Sequence, residues 1–275
     1  MTQYQPQGFK MLPPGVKNIL IINVLFFLAQ MVVPNALGFD FQGALALYSP
    51  LGSSFHPWQY LSYMFLHGSI DHLFFNMFAL WMFGYVLENI WGTRRFVIFY
   101  LACGLGAGMV HTLISGIGGH IAQEAINNYA LAPSADAFQQ LLQQHFRGLY
   151  NTQAVGQFID QWRSAGANAM GQDSVAICQQ LLEHRMNIPT VGASGAVYGI
   201  LLAFGMMFPN QYIYLYFFVP IKAKWFVIGY GAVELFLGVA RTADGIAHFA
   251  PLGGMLVGLI LIIFWRKQSM NNHWS

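Results

Sequence analysis

The sequence predicts an all-α, polytopic membrane protein: a six-transmembrane-helix bundle with a helical insertion in the outer loop between spans three and four. Three observations predict it. The 275 residues are 56% hydrophobic and only 8% charged, against about 25% charged in soluble domains. Six apolar runs approach the ~20 residues that cross a bilayer, near 17–35, 72–91, 95–115, 193–208, 225–240 and 247–265. Basic residues gather on one side of those runs. The net charge of +2 gives no reason to expect a nucleic-acid partner.

The chain reads in order as follows. Residues 1–16 are polar, carry Lys10, and form a cytoplasmic N-terminal segment. Lys17 flanks the first apolar run, and no small-x-small cleavage motif follows it, so it is expected as an uncleaved span. Residues 17–265 form the membrane domain and 266–275 a cytoplasmic tail. Lys10, Lys17, Arg94, Arg95, Lys222, Lys224, Arg266 and Lys267 all fall on one side of a six-span chain. Arg147, Arg163 and Arg185 fall on the other, in one long loop, together with Arg241. Long loops carry little weight in setting orientation, so both termini are expected in the cytoplasm.

The first outer loop, 36–71, mixes Gly and Pro with Phe55, Trp58, Tyr60, Tyr63 and Phe65, a composition suited to the membrane interface. The second, 117–190, is rich in glutamine. Its apolar residues Phe138, Leu141, Leu142, Phe146 and Leu149, then Val155, Phe158, Ile159 and Trp162, recur at helical spacing. It predicts two to four short amphipathic helices in an extracytoplasmic insertion. Cys103 and Cys178 form neither a disulfide framework nor a metal set, and no metal or cofactor is implied. His56, His111, His120, His145 and His184 show no ligand pattern, and His67 reads as a loop anchor.

Span order levels several polar residues. Spans two, four and six all enter from the outer face, which puts His72 and Asn76, Ser194, and His248 at one depth. Polar groups inside spans face the bundle interior or a watery cavity. Serine, histidine and asparagine can supply a nucleophile, a general base and oxyanion donors. Ser194 stands in the small-residue run Gly192-Ala193-Ser194-Gly195. Gly195-x-x-x-Gly199 and Gly254-x-x-x-Gly258 let spans four and six pack backbone to backbone. Tyr198, four residues after Ser194, shares its helix face. Read as residues alone, the same groups also suit helix packing, or an ion site in a small transporter or channel. The spans lack the inverted repeat expected of many transporters.

Taken together, these motifs resemble the rhomboid family of intramembrane serine proteases. The matching residues are His67-Gly68-Ser69-Ile70-Asp71-His72-Leu73-Phe74-Phe75-Asn76, then Gly192-Ala193-Ser194-Gly195, then Ala247-His248 with Gly254 and Gly258. The resemblance covers all six spans, and the long second outer loop is the main extra. It implies a serine endopeptidase that cleaves transmembrane segments of other membrane proteins within the lipid bilayer, in a bacterial inner membrane. Ser194 would be the nucleophile. His72 and Asn76, with the Ser194 N–H, would form the oxyanion pocket. Tyr198 would pack on the catalytic histidine, Glu88 would close span two, and Gly192, Gly254 and Gly258 would support the site.

One departure stands out. The family's histidine lies three residues before the first glycine of the last pair, and that position is Pro251. His248 lies three residues further out, about 4.5 Å along a regular helix and about 60° around it. Either Pro251 distorts the top of the span and His248 completes a Ser–His dyad, or the position is vacant. In the second case the chain is an inactive rhomboid-like pseudoprotease that binds transmembrane segments.

Overall fold

The computed structural model describes residues 8–166, 169–215, 218–240 and 249–271. Helices occupy all six predicted positions: α1 (Pro14–Leu37), α4 (Ile70–Trp91), α5 (Thr93–Ala130), α9 (Ser194–Met207), α10 (Ala223–Ala240) and α11 (Phe249–Asn271). Four of them, α1, α4, α5 and the Phe249–Lys267 stretch of α11, are long and apolar enough to cross a membrane. α9 is apolar but shorter, as its sequence run suggested. Short helices α2 (Phe41–Leu45) and α3 (Gln59–Ser62), then a 3-10 turn at Tyr63–Phe65, fill the first loop.

Local chemistry sets the boundaries. Pro14 opens α1, where a missing N–H costs nothing, and Gly38 closes it in the left-handed region at φ 64°. Ser69 caps α4 by accepting the His72 N–H at 3.1 Å. Gly92, at φ 78°, turns the chain from α4 into α5.

Glu88 ties that corner to α1. It is 2% exposed. Its carboxylate accepts the N–H groups of Gly15 and Val16, each at 2.7 Å, and the Thr93 hydroxyl at 2.6 Å. A negative group thus satisfies the orphan donors at the start of α1 and complements its dipole. Glu88→Ala is expected to remove about 2–4 kcal/mol of stability, since charged hydrogen bonds to buried donors are lost. Thermal unfolding in detergent checks this, and Glu88→Gln should fall between the two.

Two cores follow from the sequence pattern. The larger packs α1, α4, α5, α9 and α11 together through Val16, Leu80, Phe99, Cys103, Ile200 and Ile262. The second gathers three further helices: α6 (Ala135–His145), α7 (Thr152–Ala165) and α8 (Gly171–Met186). It joins Phe138, Leu142, Trp162 and Cys178 to Ala122 and Ile126. α5 does not stop near 115 as the apolar run does. It continues to Ala130, because its polar end is one wall of this second core. Burial in that core pushes the Cys178 thiol up to about 12, which keeps it protonated. Between α9 and α10, strands β1 (Tyr212–Leu215) and β2 (Val219–Lys222) pair antiparallel, with Tyr212 opposite Lys222 and Tyr214 opposite Pro220.

Candidate functional site

The turn before α9 is held from several sides. Thr190 and Leu47 exchange backbone hydrogen bonds at 2.8 and 3.0 Å. The Gly192 N–H donates to the Tyr63 carbonyl at 2.9 Å. Gly192 itself sits at φ 127°, a conformation that side chains disfavour. A Cβ there would fall 2.7 Å from His72 Cε1 and 2.9 Å from Nε2. The His72 ring therefore lies flush against the turn that delivers Ser194.

His72 belongs to the first turn of α4. Asn76 lies one turn further in, buried, and its amide donates to the His72 carbonyl at 3.0 Å. Ser194 is the first residue of α9 and is half-buried. The first N–H to bond in this helix is that of Val197, to the Ala193 carbonyl at 3.0 Å. The N–H groups of Ser194, Gly195 and Ala196 precede it and form the electropositive mouth of the helix.

α11 runs parallel to α9 on a seam of glycines. A Cβ on Gly254 would overlap the Gly195 carbonyl and lie 2.6 Å from its carbon. One on Gly258 would lie 3.3 Å from Gly199 Cα. No side chain separates the two helices there, so the first turn of α11 stands beside Ser194. α5 closes the third side. Ala107 meets Gly195, and Val110 lies 2.7 Å from where a Gly253 Cβ would be. Pro251 is buried in the first described turn of α11. His248 lies outside the described residues.

The Tyr198 hydroxyl donates to Glu234 Oε1 on α10 at 2.8 Å, and its ring packs against Tyr230 with centroids 5.0 Å apart. It ties α9 to α10. The residue that sequence reasoning missed is His111. It is buried on α5, with Nε2 2.8 Å from Thr190 Oγ1, and so braces the strand leading to Ser194. The one available signal was its position four residues beyond Ala107, on the α5 face that meets Gly195.

His67 anchors the loop before α4. Its backbone N–H donates to Gln30 Oε1 at 3.0 Å, and its carbonyl accepts from Gln30 Nε2 at 3.3 Å. Its ring is buried and lies 5.1 Å from the His72 ring. Burial first, and the nearby His72 second, push His67 down to about 4. A depressed histidine stabilises the fold fully above its unfolded value near 6.5, and that contribution is lost as pH falls toward 4. Stability in detergent is expected to drop by about 3 kcal/mol over that window. His67→Gln should flatten that part of the pH profile. Among the described residues there is no cluster of three metal-ligating side chains.

Comparison with known proteins gives two matches. The Rhomboid domain family model matches residues 54–130 and 169–268. The stretch between them, 131–168, holds α6 and α7. Rhomboid protease GluP of Bacillus subtilis (strain 168) is 44% identical over 48 residues, which is 18% of this chain and only 10% of that protein.

Proposed function

The chain belongs to the rhomboid family, and from that premise we propose that it is an intramembrane serine endopeptidase acting on transmembrane segments of other membrane proteins. The observation that carries this reading is the His72 ring seated against Gly192, with Asn76 one turn below and Ser194 opening α9 beside them. Ser194 Oγ attacks the scissile carbonyl. His248 takes its proton and returns it to the leaving amine, after which water attacks the acyl-enzyme. His72, Asn76 and the Ser194 N–H hold the developing oxyanion. The mouth of α9 adds a favourable dipole at that point. No metal or cofactor is needed.

In this reading α1, α4, α5, α9, α10 and α11 are six spans in a bacterial inner membrane, both termini are cytoplasmic, and 117–190 lies outside. The short α9 suits the site, because a helix that begins below the surface lets water reach its first residue. Substrate segments reach it from the bilayer.

A second reading rests on Pro251. Gly254 abuts Gly195 across the parallel seam, so position 251 lies within about 3 Å, along the axis, of the level of Ser194. A base is wanted there, and proline cannot be one. The chain would then be a pseudoprotease that binds transmembrane segments without cutting them. Labelling by a fluorophosphonate separates the two, since the serine must be activated but no substrate need be known. Labelling of wild type at Ser194, lost in His248→Ala, is expected. An inert wild type that Pro251→His makes reactive would replace the protease with the pseudoprotease.

A further inference from the structure

We propose that the β1–β2 hairpin between α9 and α10 is a membrane-interface anchor that takes anionic lipid headgroups. The hairpin has two unlike faces. Ile213 is buried in the main core, whereas its neighbours Tyr212 and Tyr214 are 50% and 62% exposed. This is the period-2 alternation of a strand with one packed face. Opposite the two tyrosines stand Lys222 and Pro220. Phe218, beside the turn, is 84% exposed, and Trp225, just past β2, is 59% exposed. Lys224 Nζ lies 5.4 Å over the Trp225 ring.

Position fixes the occupant. β2 runs into α10 without a linker, since Lys222 ends one and Ala223 begins the other. α9 and α10 are both apolar, so the hairpin sits at one end of the bundle, level with the headgroups. Aromatic rings are favoured at that depth because one end of each is apolar and the other wet. The two lysines complement anionic headgroups in charge. A protein strand is the poorer occupant. Pro220 has no N–H to offer a ladder and blunts the β2 edge. A free two-stranded hairpin is marginal in water. Here Ile213 holds one face to the core and lipid covers the other.

The consequence is a fixed pivot. α10 is pinned at its hairpin end by lipid and midway by the Tyr198–Glu234 hydrogen bond. This proposal needs only insertion of the chain in a bilayer, not catalysis.

The test uses the full chain in phosphatidylcholine vesicles, with or without phosphatidylglycerol. Phe218→Cys is labelled with an environment-sensitive fluorophore; Cys103 and Cys178 are buried and compete poorly. Quenching by a nitroxide near the lipid headgroup should exceed that by a deep nitroxide by about twofold or more, with little quenching by a soluble nickel chelate. Phosphatidylglycerol should strengthen the shallow quenching, and Lys222→Gln with Lys224→Gln should remove that gain. A label quenched by the nickel chelate as fully as one at Leu131→Cys, which is 85% exposed, would overturn the anchor. Equal behaviour in the two lipids would overturn the headgroup preference.

Discussion

Ser194→Ala is expected to abolish cleavage of a reporter carrying a helix-destabilised transmembrane segment, by at least about 10³-fold, while leaving the protein folded. The size follows from the role. A nucleophile that forms the acyl-enzyme has no partial substitute, and what survives its removal elsewhere is only binding and oxyanion stabilisation. The unchanged fold follows from the structure. Ser194 is the first helical residue of α9, not its cap, and no partner holds its hydroxyl among the described residues. Alanine keeps the Cβ, the backbone and the N–H. Cleavage in membranes and thermal unfolding in detergent must be read together. Substantial cleavage by the alanine variant would remove Ser194 from the chemistry, whereas lost cleavage with lost folding would make its role structural.

Gly254→Ala is expected to lower stability by about 2–3 kcal/mol and to inactivate the site as well. The added methyl would overlap the Gly195 carbonyl and approach its Cα at 3.0 Å. These are backbone atoms of a helix, so the clash is relieved only by parting α9 from α11. Parting them moves Ser194 away from the first turn of α11. Gly229→Ala on α10 is the control. Nothing lies within 4 Å of its missing Cβ, and alanine favours helix by about 1 kcal/mol. Thermal unfolding of the two variants should therefore shift in opposite directions, or only the first should shift.

Much of this arrangement was legible in the sequence. Apolar run length located the helices, because backbone groups in lipid must be satisfied within each segment. Span order placed His72 near the Ser194 turn, and two glycine pairs matched α9 to α11, because only glycine permits that approach. The extension of α5 was hidden. Gly116, Gly118 and Gly119 suggest an end, and only packing of Ala122 and Ile126 in the second core overrides them. The hairpin was hidden as well, since Tyr212 to Lys222 reads as an apolar connection until Ile213 is seen to turn inward. The Tyr198 bond to the half-buried Glu234 carboxylate was hidden too, because the two lie 36 residues apart on different helices. His111 carried no motif, for its partner Thr190 is far away in sequence.

α5 has one more property that follows from its length alone. Its 38 residues make a rod of about 57 Å, nearly twice the ~30 Å of a bilayer's hydrocarbon. Partway along, Ala107 abuts Gly195; at its far end it bears α6, α7 and α8. The helix is unbroken between those points. One unbroken helix thus carries both the contact at Gly195 and a wall of the second core.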